Sequence, residues 1–286
     1  MVTIVTIARL TIAEAVRRRI VLVLIVLTLV SVSLTTLGVE RLVSLARASG
    51  TNDLQVQVGV SQILILVAFM FSFVLAMTAA FLGAPAIAAD LESGVAAAML
   101  ARPIRRAELV LGRWLGLVLV VVAYAVASGL LEIAGVDAVS GSAPPYPFLA
   151  VGFLAAQAVV LLTLALALST RLPAIASGAI CVVLFGLAWM AGVFAGIGAF
   201  FGAGPLVGAA EATRWLLPTD VLWRGTVYGL EPSLIGAIAG QRVGPAANAN
   251  PFYASAPPPT AFVVWSAVWI ALVLGLAIWS FSRRDL

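Results

Sequence analysis

The sequence predicts an all-α integral membrane protein with six transmembrane helices. Three observations predict it. Of 286 residues, 63% are hydrophobic and only 10% are charged, against about 25% charged in soluble domains, so the chain could not cover a water-facing surface of its own size. Its apolar residues fall into six runs close to the ~20 residues that cross a bilayer. Its arginines crowd into some of the intervening segments and avoid others, as topology demands.

Residues 1–19 read as an amphipathic helix lying in the membrane interface. Ile4, Ala8, Ile12 and Ala15 share a broad face with Val5 and Val16, while Thr3, Thr6, Glu14 and Arg17 fall opposite; Leu10 breaks the pattern. The plain alternative is a simple lead-in. Arg17-Arg18-Arg19 precedes a full-length apolar run, so this terminus reads as retained and not as a cleavable signal. Spans are expected at 20–38, 60–89, 114–134, 148–168, 174–199 and 261–281. Between the first two lies a polar loop with Glu40, Arg41, Arg47, Asn52 and Asp53. Residues 90–113 form a charged loop. Within it, Gly94 is expected to break the preceding helix, Val95 to Ala101 to form a short coupling helix stopped before Pro103, and a new helix to restart at Ala107. A turn at Ala143-Pro144-Pro145-Tyr146-Pro147 leads into the fourth span, and Ser169 to Pro173 separates it from the fifth.

Residues 200–260 differ: rich in Gly, Pro and Ala, with scattered charges. Leu206–Leu217 and Asp220–Leu230 look helical but are too short to span, and fit interfacial or re-entrant helices; Thr219 or Asp220 would cap the second. Gly240 to Pro259 reads as loop. With the N-terminus inside, 11 of the 16 basic residues face the cytoplasm: Arg9, Arg17, Arg18, Arg19, Arg102, Arg105, Arg106, Arg113, Arg171, Arg283 and Arg284. The positive-inside bias therefore places both termini inside and the 200–260 insertion outside.

Absences exclude function classes. With no histidine there is no Ser-His nucleophile pair and no imidazole shuttle, which argues against an intramembrane hydrolase. With no lysine there is no Walker A loop. The single cysteine, Cys181, reads as a packed hydrophobe, and no metal site is expected. An ion-coupled carrier would want acids or histidines at the midplane. The polar candidates there are few. Glu132 sits near the outer end of the third span, within snorkelling reach of the interface. Gln157, central in the fourth, either lines a path or bonds across helices, the latter favoured. Gly192 and Gly196, and Gly198 and Gly202, carry small-x-x-x-small spacing that suits close helix packing, a dimer contact included.

The information is densest in Glu92-Ser93-Gly94, then Leu100-Ala101-Arg102-Pro103-Ile104-Arg105-Arg106-Ala107-Glu108, then Leu111-Gly112-Arg113-Trp114-Leu115-Gly116. Order and spacing resemble the signature loop of ABC transporter permeases of the second export type, the six-span permeases that include nitrous-oxide-reductase maturation and drug-export subunits. Val95 stands for that family's usual Thr and Arg113 for its usual Lys. The resemblance extends over nearly the whole chain, including Leu217-Pro218-Thr219-Asp220 and Arg224 in the outer insertion, where Arg214 is a further candidate. It implies a permease without a catalytic site of its own, in a bacterial or archaeal plasma membrane. It implies a dimer of two such halves, identical or related, carrying two cytoplasmic ATPase subunits that hold the ATP and Mg. Substrate is implied to move outward, with lipid and not nucleic acid around the chain. ATPase coupling would fall to Asp90, Glu92, Ser93, Gly94, Arg102, Pro103, Arg105, Arg106 and Glu108, with Glu14 and Arg17 of the interfacial helix. A membrane anchor for a soluble complex is the reading the loop alone leaves open beside it.

Overall fold

The computed structural model describes residues 2–17, 19–94, 104–231, 250–254 and 256–284, and every regular element among them is an α-helix. In chain order these are α1 (Val2–Arg17), α2 (Arg19–Ala48), α3 (Asp53–Gly83), α4 (Pro85–Glu92), α5 (Arg106–Ser140), α6 (Pro147–Ser169), α7 (Ala174–Phe201), α8 (Gly204–Leu216), α9 (Thr219–Leu230) and α10 (Thr260–Ser282). Six helical stretches are long and apolar enough to cross a membrane: α2, α3 continued through α4, α5, α6, α7 and α10. The expected count of six holds.

Several boundaries move, for local reasons. The first span does not stop at Gly38. Residues 39–48 contain no Gly or Pro and are mostly good helix formers, so Glu40, Arg41 and Arg47 sit on helix and not on a loop. The turn comes at Gly50, with φ +69°. Asn52 then caps α3, its side chain accepting from Leu54 N at 3.2 Å, so α3 begins ahead of Val60. The third span is longer at both ends than 114–134. It starts at Arg106, so part of the expected loop is helical, and it ends at Gly141, whose N–H bonds Asp137 O at 2.8 Å from a left-handed φ of +67°. Pro85 has no N–H to donate, which interrupts the ladder between α3 and α4 without ending the span. Gly94 does break the helix, at φ +72°.

The spans surround α6. Of its most apolar window 67% is buried, against 6% for α2, so α6 is the axis and α2 a peripheral helix. Leu75, Ala79, Val121, Ala125, Leu161, Ala165 and Cys181 close the centre. Three polar side-chain pairs cross-link it: Ser72 Oγ donates to Gln157 Oε1 at 2.8 Å, Trp114 Nε1 donates to Thr163 Oγ1 at 2.9 Å, and Thr28 and Tyr124 share a bond of 2.9 Å. Gln157 is thus buried and bonded across helices, as favoured.

Both termini lie at one end of the bundle, since α5 begins against the end of α10. At the other end α8 and α9 form a hairpin. Gly202, φ +69°, turns the chain back on α7, and α8 descends alongside it with Val207 over Gly198. The carbonyls of Trp215 and Leu216 accept from the indoles of Trp265 and Trp269 at 2.9 and 2.8 Å. Trp269 lies nine residues into α10, so the hairpin tip reaches about 13 Å below that helix's end. The return helix α9 is buried almost throughout and runs antiparallel to α6: Gly229 lies against Ala150 and Gly225 under the Phe153 ring. The hairpin therefore folds back among the ends of the spans instead of standing clear of them.

Residues 250–254 cover the hairpin. Trp223 Nε1 donates to Pro251 O at 2.8 Å, and Ala254 N to Glu231 Oε2 at 3.3 Å. Burial pushes the Glu231 carboxyl up to about 7, outweighing the Ala254 bond that pulls it down. The folded state therefore holds this proton where the unfolded chain has lost it. The stability it confers is complete at acidic pH and falls as pH rises from the ordinary carboxylate value through about 7, by at most about 3 kcal/mol. Hydrogen exchange at 250–254, corrected for intrinsic rate, is expected to quicken across that window in the parent and to stay level in Glu231→Gln. Equal slopes in both would remove Glu231 as the cause.

Candidate functional site

The conspicuous polar constellation stands at the end that carries the termini. It begins with α1 lying on α5. The buried face of α1 is Ile7, Ala8, Thr11 and Ala15, while Val5 and Val16 are exposed. The face is therefore rotated from the one hydrophobicity picked out, because contact follows shape. A Cβ at Gly112 would come within 2.6 Å of Ile7 Cβ, and one at Gly116 within 2.7 Å of Ala8 O. Two glycines one turn apart thus form the groove that receives α1.

Arg113 lies between those glycines and ties three helices. Its Nη1 donates to Glu14 Oε2 of α1 at 2.6 Å. Its Nε and Nη2 straddle Asp90 of α4, with Nη2 2.7 Å from Oδ2 and 2.9 Å from Oδ1 and Nε 3.1 Å from Oδ2. This is the fork-to-fork arrangement only an arginine makes. The Arg113 and Asp90 side chains are each 13% exposed and Glu14 is 45% exposed. A cavity of about 30 Å³ lined by Thr11, Glu14, Asp90 and Arg113 adjoins the clasp.

Other expected coupling residues are committed within the chain. Arg106 Nη1 donates to the carbonyls of Phe281, Ser282 and Arg284 at 3.2, 2.9 and 2.6 Å, satisfying the free end of α10 where a cation is favourable. Arg171 holds Ser280 through Oγ and O at 2.9 and 3.0 Å, and Arg284 reaches Thr170 O at 2.6 Å. Glu108 accepts from Arg105 N at 3.1 Å and so satisfies a backbone donor at the start of α5. The exposed members are Arg17, Glu92, Ser93, Gly94 and Arg105. Arg102 and Pro103, with the short helix expected over Val95 to Ala101, lie outside the described residues. Sequence reasoning passed over the role of Arg113 and its flanking glycines. The signal was present as a G-R-x-x-G run at helical spacing beside a charged α1.

A second constellation occupies the hairpin tip. Asp220, its side chain 2% exposed, accepts from Arg214 Nε at 2.9 Å and Arg224 Nε at 3.3 Å, and Arg224 Nη2 donates to Gly192 O at 3.3 Å. All three insertion residues are thereby brought together. The space beside Gly192 is filled by the chain's own Asp220 carboxylate, and that beside Gly198 by α8. At these two positions the close packing is intramolecular, and not the dimer contact that was one expectation; Gly196 is also buried, and Gly202 serves the turn. Glu132 is 5% exposed, enclosed by residues of α3, α6 and α9, and α5 continues two further turns past it.

Compared with known proteins, residues 5–286 match the family model described as ABC-2 family transporter protein. No curated protein matches the chain.

Proposed function

Because this chain belongs to the ABC-2 transporter family, a multi-pass plasma-membrane family whose permeases pair with an ATP-binding subunit, we propose that it transmits ATP-driven closure of that subunit into its spans through the Glu14–Arg113–Asp90 clasp. The termini face the cytoplasm in this reading, on the arginine bias set out above. Two permease copies, each with an ATPase, make the working unit, and ATP and Mg stay on the ATPases. The permease contributes no catalytic group, and substrate moves outward.

The observation that carries the proposal is the convergence of α1, α4 and α5 on one guanidinium. A push on the segment between α4 and α5 arrives at Asp90 and Arg113 and is passed to α1 through Glu14, so three helices move as one body. The docking surface falls to Arg17, Glu92, Ser93, Gly94 and Arg105, which are exposed, together with Arg102 and Pro103 beside them in sequence. Of the two arginines expected there, Arg105 keeps that role and Arg106 leaves it, since its Nη1 holds the end of α10.

Charge reversal tests the docking assignment. In the doubly changed Glu92→Arg, Arg105→Glu chain, recovery of the co-expressed ATPase and its permease-stimulated hydrolysis are each expected to fall by about tenfold, equivalent to about 1.4 kcal/mol. Recovery equal to the parent's would place the dock elsewhere.

A further inference from the structure

The charged group at the hairpin tip holds more positive than negative charge. Arg214 and Arg224 both direct Nε to the one carboxylate of Asp220, at 2.9 and 3.3 Å. Arg224 Nη2 also reaches Gly192 O. Arg224 Nη1 and both terminal nitrogens of Arg214 have no hydrogen-bond partner among the described residues. The two side chains remain 22% and 19% exposed. One positive charge is therefore left over, with guanidinium donors to spare. Its depth makes that charge informative. The tip is tied to Trp265 and Trp269 of α10, about 13 Å below the end of that helix, and half the hydrocarbon thickness is only about 15 Å. A net charge at such depth faces water or the interior of an assembly, not lipid. The outward side of α8 agrees. Glu211, one turn nearer the outside than Arg214, is exposed beside Gly208 and Ala212, which is no surface for acyl chains.

The group chooses its ligand by charge. A metal ion or an organic cation would meet two guanidinium groups and be repelled. An oxyanion would meet planar forks that match phosphate or carboxylate. Glu211 makes no ion pair with either arginine among the described residues, and in water its charge is screened. Next to Arg214, Trp215 is 46% and Leu216 73% exposed, an apolar surface for a chain attached to the oxyanion. A phospholipid resting in the leaflet keeps its phosphate at the membrane surface, well above the tip. The depth therefore suits an amphiphile that has left that position.

We propose that Arg214 and Arg224 are the recognition point for an oxyanion carried on an apolar chain, in an aqueous vestibule lined by the hairpin. The head takes the spare guanidinium donors and the chain lies against Trp215 and Leu216. Asp220 is a positioning residue that holds the two guanidinium groups side by side. These donors lie at a partly exposed edge, so the head is admitted with the hairpin where it stands. The substrate class so named rests on the permease reading above. Binding by the isolated chain, however, is measured without the ATPase, so a failure here and a failure of the docking test are told apart.

The experiment is equilibrium dialysis of labelled hexyl phosphate against the purified full chain in maltoside micelles, with empty micelles subtracted. Hexanol and inorganic phosphate serve as the two half-ligands. Saturable binding near one hexyl phosphate per chain is expected, with no saturable hexanol binding and inorganic phosphate at least about tenfold weaker. Arg214→Gln leaves the Asp220–Arg224 pair to hold the hairpin and is expected to weaken hexyl phosphate at least about tenfold. Glu211→Gln, which removes the nearby like charge, should bind as tightly as the parent or more so. Absence of saturable hexyl phosphate binding by the parent would overturn the proposal. So would equal binding of either half-ligand, parent-like binding by Arg214→Gln, or loss of binding in Glu211→Gln. The comparison among the three ligands needs no variant, so it decides even if a substituted chain misfolds.

Discussion

Replacing Arg113 with alanine is expected to abolish permease-stimulated ATP hydrolysis and to lower stability by about 3–5 kcal/mol. The magnitude follows from what is left behind. Asp90 is 13% exposed and takes three bonds from this guanidinium. Without it a mostly buried carboxylate loses those three bonds, and breaking a buried ion pair costs more than the pair itself contributed. Three comparisons isolate the clasp. Arg113→Lys retains the charge but not the fork, and should fall between parent and alanine. Asp90→Asn combined with Arg113→Ala should be more stable than Arg113→Ala alone, because the carboxylate that lost this guanidinium is gone. Glu14→Gln touches only the more exposed arm and should cost under about 1 kcal/mol, yet it should still impair coupling, because it frees α1. Thermal unfolding in detergent and hydrolysis by the reconstituted complex give the two readouts. An Arg113→Ala chain that couples normally would show that force takes another route.

Asp220→Ala is expected to rank next, costing about 3–5 kcal/mol. One carboxylate serves both Arg214 and Arg224, so its removal leaves two cations facing each other about 13 Å inside the bundle. Losing either arginine alone keeps a pair and should cost less. Because Asp220 fills the notch at Gly192, alanine also opens space there and forfeits packing. Limited proteolysis within 204–230 would report release of the hairpin, with detergent stability measured alongside. Unaltered proteolysis and stability would mean that Trp215, Leu217 and Leu222 hold the tip without help from charge.

Helix count and class were legible because bilayer thickness sets a length the composition must match. Helix ends were not. Gly38 looked like an end because the apolar run ends there, but a helix obeys backbone chemistry and runs on to Ala48. Nor could the sequence separate core from periphery. In a bilayer every span is apolar, so nothing in the composition distinguishes α6 from α2. The Arg214–Asp220–Arg224 group was visible as charges in an insertion and, for one pair, as an i,i+4 spacing; its depth was not, since depth depends on glycines at 225 and 229 meeting α6. Arg106 illustrates the hardest case. Its partners are backbone carbonyls 175 or more residues away, and a carbonyl has no residue type to betray it. The coupling residues divided along the same line. Glu108 was readable as a local cap, while Asp90 gained its meaning from Arg113, which the preceding residues could not announce.

The groove formed by Gly112 and Gly116 has a consequence for the order in which the protein is made. Glu14 and Arg113 are 99 residues apart, so α1 leaves the ribosome with nothing to lie upon. At about 5–20 residues per second the wait lasts roughly 5–20 s. During it, the four buried positions of α1 have only the membrane surface to lie against. The mixed character of α1 suits that interval: polar enough to stay out of the hydrocarbon, apolar enough to remain on it. When α5 inserts, its glycines and arginine arrive together and collect a helix parked within reach. Placement of α1 is thus completed only when the third span arrives.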